Sequence, residues 1–338
     1  MSEKGNVKVK KSFLVIGCGS IGSRHLANLK KLGVTSIGAF DVNMIRCEKI
    51  REEFNINVFS DLEEALSKKF DSALICSPTS LHVEHALLAA NAGCHLFIEK
   101  PISDTHNRLP ELLDLIEKKN LATLVGCNFR FHPGLMKIQS LLGENTIGKI
   151  ISARAQFGQF LPDWHPWEDY RHSYSAQKNL GGGVILDRIH EIDYMRWLFG
   201  EVSEVTAMAD HISHLEIDTE DIAEILLKFS NGSIGSIHLD YVRRTYDASL
   251  EVIGENGIIK WNYQNHFIEW YVAKKKRWQS IKWEKLDGNL MYVDEMKHFL
   301  RVVDNQEKSI FPAWEATKVL KIALAVKEAA KDRKVIQL

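Results

Sequence analysis

Phe13-Leu14-Val15-Ile16-Gly17-Cys18-Gly19-Ser20-Ile21-Gly22 is the stretch whose reading decides the fold. Four apolar residues of buried-strand length break at a G-x-G-x-x-G pattern, and helical spacing follows. Each glycine has its own reason in that setting. Gly17 permits a tight turn, Gly19 lets the backbone approach a pyrophosphate, and Gly22 lets the helix pack against the sheet. The free N–H groups of the new helix then face the phosphates, so Gly17, Cys18, Gly19, Ser20, Ile21 and Gly22 are predicted to cradle a dinucleotide. Gly22, Leu26, Leu29 and Gly33 share one helical face, and Gly33 suits a C-cap. Ser36 to Phe40 reads as a second strand that ends at Asp41, about 20 residues beyond the glycines. A carboxylate there accepts hydrogen bonds from both hydroxyls of an adenosine ribose and repels a 2′-phosphate. NAD is the predicted cofactor and NADP is less favoured, with Asn43 and Arg46 close enough behind Asp41 to soften the discrimination.

Outward from this stretch the alternation continues. A helical pattern from Asp61 to Lys69 leads into the strand Ser72 to Cys76, the turn Ser77-Pro78-Thr79-Ser80 and a helix from His82 to Ala92. His95 to Glu99 is strand-like before Lys100-Pro101, and Arg108 to Lys119 and Ala122 to Gly126 complete the series. Such regularity predicts a parallel sheet with right-handed crossovers over residues 1–127. Beyond Asn128 the pattern changes to period-two runs. Ile225 to Phe229, Asn231-Gly232 and Ile234 to Leu239 form one hairpin, and Leu250 to Ile253 and Ile258 to Trp261 form a second. Residues 128–338 are thus predicted to be an α+β domain on a mainly antiparallel open sheet. Its helices are expected near Pro133 to Leu142, Val184 to Phe199, Tyr292 to Val303 and Pro312 to Ala330, with Val335 to Leu338 as a closing strand.

A chain of 338 residues is comfortable for two domains with full cores. Basic and acidic residues number 43 and 44, and no basic block carries interleaved aromatics, which argues against a nucleic-acid partner. No apolar run suits a signal peptide or a bilayer span, so no membrane partner and a cytoplasmic location are expected. Cys18, Cys47, Cys76, Cys94 and Cys127 show no C-x-x-C spacing and read as buried thiols. His211 and His214 lack a third ligand of fitting spacing, and no metal is expected.

Two clusters invite chemistry. Glu99-Lys100-Pro101 ends a parallel strand, where an open α/β sheet presents ligands, and Pro101 restricts the backbone of Lys100. Near a positively charged nicotinamide the lysine pKa should fall, fitting the amine to relay a hydroxyl proton. The alternative is a surface lysine after a strand. In the second cluster, Gly181-Gly182-Gly183 leads into Val184 to Asp193, with Ile185, Ile189, Ile192 and Phe199 as a buried stripe. Asp187, His190 and Tyr194 line the adjacent stripe, so a carboxylate neighbours the histidine. The alternative is a helix histidine satisfied by a structural aspartate.

Taken in order, the glycine loop, Ser77-Pro78-Thr79, Glu99-Lys100-Pro101, Asn128-Phe129-Arg130 and Gly181 to Asp193 resemble the glucose–fructose oxidoreductase, inositol dehydrogenase and MocA family over essentially the whole chain. The resemblance implies a nicotinamide-binding Rossmann domain and a second α/β domain whose open sheet face makes homodimer or homotetramer contacts. It implies hydride exchange with a secondary hydroxyl or carbonyl of a sugar, cyclitol or nucleotide-sugar. Lys100 matches the family's catalytic lysine and His190 its proton-transferring histidine. Asp187 matches a third catalytic position, although it stands three positions before His190 where the family has four, and Asp193 matches a structural aspartate. Ser77, Pro78, Thr79 and His82 match the turn over the ribose and nicotinamide, Glu99 and Lys100 reach the cofactor, and Asn128 matches the cleft floor.

Substrate choice is expected in the second domain. Arg130 and the aromatic, charged loop from Leu161 to Arg171 are the candidates, with Trp164, Trp167, Tyr170 and Arg171 stacking on rings or binding hydroxyls and phosphates. A lid or an oligomer contact is the other reading of that loop. Two other functions fit the same motifs, namely a redox-assisted glycosidase that recycles its NAD and a non-catalytic sensor of NAD or sugar. Intact Lys100 and His190 argue against the sensor, and the shortened spacing of Asp187 argues for it.

Overall fold

A computed structural model describes residues 9–284 and 287–338. The chain divides into two compact units, one of Met1–Gly126 with Asn289–Thr317 and one of Cys127–Gly288 with Lys318–Leu338.

In the first unit the strands are β1 (Val9–Ile16), β2 (Val34–Phe40), β3 (Asn57–Phe59), β4 (Ser72–Ile75), β5 (His95–Glu99) and β6 (Thr123–Gly126). They form a parallel sheet in the order β3-β2-β1-β4-β5-β6. Phe13 to Ile16 are wholly buried, as a central strand covered on both faces requires. The crossovers carry α1 (Ser20–Lys31), α2 (Met44–Phe54), α3 (Leu62–Ser67), α4 (His82–Asn91) and α5 (Leu109–Lys118). Strand order reverses between β1 and β4, and ligands of such sheets sit at that reversal beyond the carboxyl ends. α2 and β3 escape the sequence reading because α2 buries only Cys47 and Ile50 and exposes the apolar Met44 and Ile45, which blurs any apolar stripe.

The second unit holds α6 (Pro133–Gly143), β7 (Ile150–Gly158), α7 (Val184–Asp187), α8 (Ile189–Phe199), β8 (Val202–Asp210), β9 (Ile222–Phe229) and β10 (Ile234–Asp240). It continues with β11 (Asp247–Gly254), β12 (Gly257–Asn262), β13 (Phe267–Val272) and β14 (Arg277–Lys282). α9 (Asn289–Val303) belongs to the first unit, α10 (Ala313–Asp332) begins in the first and ends in the second, and β15 (Ile336–Gln337) closes the second sheet. The nine-stranded sheet runs β14-β13-β12-β11-β7-β10-β9-β8-β15 and is antiparallel except where β7 pairs with β10. Both expected hairpins form, β9 with β10 through Asn231-Gly232 and β11 with β12. Along β9, Ala223, Ile225, Leu227 and Phe229 are buried while Glu224, Leu226 and Lys228 are exposed. That alternation marks a sheet with one packed and one open face. No described helix is long and apolar enough to cross a membrane.

One expected element is not continuous. The helix anticipated from Val184 to Phe199 breaks at Arg188, whose φ of −99° and ψ of 37° separate α7 from α8. Arg188 lays its guanidinium 3.5 Å from the Phe157 ring centroid and donates to Glu191 at 3.1 Å. Asp187 thus ends α7 and His190 lies in the first turn of α8, so the two stand on separate helices.

Two buried ionisable sites in these units make separate predictions. Arg130 grips Asp193 through Nη2 at 2.7 Å and Nε at 2.9 Å, with side chains only 5% and 1% exposed. Asp193→Ala strands the guanidinium and should cost about 3–5 kcal/mol in urea unfolding. On α9, Glu295 is wholly buried and neither carboxyl oxygen finds a hydrogen-bond partner among the described residues. Burial first, and the Glu99 charge second, raise its pKa well above the usual glutamate value. The folded chain therefore holds a proton that the unfolded chain releases at lower pH, and stability falls as pH rises from the ordinary glutamate range toward the raised value. Glu295→Gln should flatten that fall, seen as unfolding midpoints that separate from wild type increasingly from pH 5 to pH 8.

Candidate active site

The glycine loop is built by its neighbours. Gly17 has φ +99°, donates its N–H to Phe40 O at 2.8 Å, and leaves no room for a side chain, since a Cβ would lie 2.6 Å from the Cys76 carbonyl. Gly19 is the opposite case. A Cβ there would meet nothing within 4 Å, so the open space in front of α1 is not needed by the chain itself. Gly19 is also the N-cap of α1 and supplies no side-chain cap, and the first turn has no acidic residue. Those N–H groups and the positive end of the helix are suited to an anion.

Asp41 is buried at the end of β2, and each of its oxygens accepts one backbone N–H: Cys18 on Oδ2 at 2.7 Å and Asn43 on Oδ1 at 2.8 Å. A carboxylate oxygen accepts more than one hydrogen bond, so the fixed group keeps capacity for ribose hydroxyls. Burial, with Asp41 adding to it, pushes the Cys18 thiol up to about 12 and keeps it neutral. Open cradle, uncapped helix and fixed carboxylate fit a dinucleotide.

At the ends of β4 and β5 the turns are tied by His82, whose Nε2 lies 2.8 Å from Ser77 O and whose Nδ1 lies 2.7 Å from Pro101 O. His82 thereby sits between two turns with a backbone oxygen at each ring nitrogen, and a neutral imidazole donates its single N–H to one of them. Burial lowers its pKa while the two carbonyls pull the other way. Ser77 Oγ bonds His85 Nδ1 at 2.9 Å, and Thr79 is buried in the short turn Thr79–Leu81. Pro78 precedes that turn as its N-cap, and the Lys100–Pro101 peptide is cis. Lys100 is half-buried, whereas Glu99 turns inward to His25.

In the second unit, the turn Asn128–Phe131 follows directly from β6, and Asn128 is buried. Phe129 lies 5.0 Å from the His190 ring, centroid to centroid, which sets that buried histidine against an aromatic wall. Asp187 accepts hydroxyls from Tyr174, from Ser175 at 2.8 Å and from Tyr241 at 3.1 Å. Sequence spacing gave no sign of this hydroxyl cage, because the irregular chain between Ser175 and Asp187 has no periodicity to read and Tyr241 lies 54 residues away. Arg130, expected to face substrate, commits its Nε and Nη2 to Asp193 and lies 5.3 Å from the Trp197 ring centroid.

The loop candidates separate as well. Trp164 packs edge-on against Phe157 and Tyr241, Arg171 is forked onto Asp169 and reaches Glu216, and the Tyr170 hydroxyl accepts Glu216 N–H at 3.2 Å. Trp167 is 72% exposed. Three of the four are therefore engaged within the protein, and Trp167, its ring 5.3 Å from that of His165, stays mostly exposed.

Comparison with known proteins agrees with this geometry. Residues 11–127 match the model of an oxidoreductase family with an NAD-binding Rossmann fold, and residues 135–260 match the GFO/IDH/MocA C-terminal domain. The chain is 28% identical to myo-inositol 2-dehydrogenase of Thermotoga maritima over 96% of this chain and 97% of that one. It is 31% identical to the uncharacterized oxidoreductase YrbE of Bacillus subtilis over 72% of this chain and 71% of the other. Among solved structures, levoglucosan dehydrogenase in complex with NADH superposes with a TM-score of 0.88 at 22% identity, covering 97% and 98% of the two chains, and so shares the fold. A glycine cradle set against a fixed Asp41, followed by the family's own second domain, makes this chain a member of the GFO/IDH/MocA family of NAD-binding oxidoreductases.

Proposed function

We propose that this protein exchanges hydride between NAD and a secondary hydroxyl or carbonyl of a sugar, cyclitol or nucleotide-sugar. The observation that carries the reading is Asp41, immobilised by the Cys18 and Asn43 amides beside an open Gly19. A rigid negative group at that point favours ribose hydroxyls over a 2′-phosphate, hence NAD over NADP. Relatives named for inositol and levoglucosan support the polyol class.

Bound nicotinamide supplies the carbon that accepts or returns hydride. The chain's part is proton management and orientation. Lys100 Nζ, at the end of β5, and the His190 imidazole are the proposed groups that take or return the substrate hydroxyl proton. Asp187, caged by three hydroxyls, orients the Tyr174–Ser175 turn and through it the approach to His190. Trp167 is the proposed sugar-stacking face, and Arg130, Trp164, Tyr170 and Arg171 shape the walls behind it.

A cytoplasmic homodimer or homotetramer completes the proposal. The five buried cysteines are free thiols, which suits a reducing compartment. The open sheet face exposes Met208, Leu226 and Ile234 at 82%, 53% and 57%, large apolar groups that self-association would cover.

With purified protein, NAD and a panel of sugars, inositols and nucleotide-sugars, one substrate class should reduce the cofactor. Lys100→Ala and His190→Ala should each slow it by about 10²–10⁴-fold while still binding NAD. Gly19→Ala should melt like wild type yet bind NAD at least about tenfold more weakly, because its new methyl meets only the ligand. NAD binding without turnover on any substrate would leave the hydride-transfer reading unsupported. Leu226→Glu should lower the sedimentation coefficient toward that of a monomer, and an unchanged value would reject this sheet face as the interface.

A further inference from the structure

β5 presents Glu99 and Lys100 in succession, and Glu99 is buried with its carboxylate shared between two partners. Oε1 meets His25 Nε2 at 2.6 Å, and Oε2 accepts the N–H of Lys100 itself at 3.2 Å. Gly126, at the end of β6, makes room for the carboxylate, since a Cβ there would stand 3.0 Å from Oε1. His25 is wholly buried on α1 between Phe97 and Tyr292, at ring separations of 4.9 Å and 6.2 Å. Arg24 lies 4.5 Å above the Tyr292 ring. Glu295, one turn along α9 from Tyr292, is the second buried carboxyl.

From this geometry we propose that Glu99 is the positioning residue of Lys100: held by His25, its carboxylate fixes the Lys100 peptide and sets the charge against which the Lys100 amine titrates. The inference rests on Lys100 being the proton-transfer group. The ionisable groups around Glu99 are His25 on α1, Cys76 after β4, His82 on α4, Lys100 beside it, and Tyr292 and Glu295 on α9. Burial raises both the Cys76 thiol and the Tyr292 phenol, so neither carries charge near neutrality. Burial first, and the Glu99 charge second, raise Glu295 as well. Lys100 and Glu99 both act on Tyr292 and on His82, which places them in one electrostatic neighbourhood.

Competitive acetylation of the full-length protein, read by mass spectrometry of the Lys100 peptide across pH, tests this without a substrate. Glu99→Gln keeps the shape and removes the charge, and the Lys100 midpoint should fall by about one pH unit, roughly tenfold in reactivity below the midpoint. Glu99→Asp keeps the charge and should restore most of the wild-type midpoint, and Glu295→Gln should leave it in place. If Glu99→Gln does not fold, His25→Gln gives the second reading, an increase in hydrogen exchange at the Lys100 amide. A Glu99→Gln midpoint equal to wild type, or exchange at Lys100 unchanged by His25→Gln, overturns the proposal. Because neither measurement needs turnover, a shifted midpoint in a protein that oxidises no substrate would remove the dehydrogenase reading and leave the Glu99–Lys100 link standing.

Discussion

The hydrogen bond from Cys18 N–H to Asp41 Oδ2 joins the glycine loop to the end of β2, and the first unit's ligand geometry depends on it. Gly17 must adopt positive φ to bring that amide round, and the Cys76 carbonyl behind it forbids any larger residue. The same turn aims the first N–H groups of α1 outward over Gly19, where the chain leaves open space. Loop, helix terminus and carboxylate are therefore one rigid unit. A ligand that meets it finds its binding groups already oriented and pays little ordering entropy.

Behind this surface lies a polar interior unusual for a parallel sheet. Glu99, His25 and Glu295 are all buried, yet only Glu99 and His25 are matched to each other by a short hydrogen bond. Unmatched buried carboxyls cost stability and tend to accompany function. The second unit handles its polar groups differently. Asp193 is neutralised by the Arg130 fork, Glu191 is paired with Arg188, and Asp187 accepts hydrogen bonds from neutral hydroxyls. Arg188 unites backbone and side-chain effects, because breaking the helix lets its guanidinium lie on Phe157 and lets Asp187 turn toward Tyr174 and Tyr241.

Legibility in the sequence followed the range of the interactions concerned. β1, the glycine loop, α1 and Asp41 were readable because turn sterics, helix spacing and strand burial act within about 30 residues. The hairpins of β9 with β10 and of β11 with β12 were readable for the same reason. β7 was not, since its partners β10 and β11 lie far along the chain, and β8, β13 and β14 were not because their burial patterns alternate weakly, β14 having no buried residue although it forms a local hairpin with β13. Among candidate site residues, Gly17, Gly19 and Asp41 occupy the geometry their spacing suggested, whereas Arg130, Tyr170 and Arg171 are engaged by Asp193, Glu216 and Asp169. A charged side chain in a sequence does not reveal whether its partner is a ligand or another residue.

A dinucleotide cradle on a parallel sheet, a second domain of hairpins and a family resemblance can be read along the chain, because these rest on backbone sterics and local periodicity. Which polar groups are consumed internally is settled by packing. The hydroxyl cage of Asp187, the break at Arg188, the His82 clamp and the His25–Glu99 pair all join residues that chain folding alone brings within hydrogen-bond distance. Hydrogen bonds of that kind are short-ranged and directional, so they exist only once every packed element is in place.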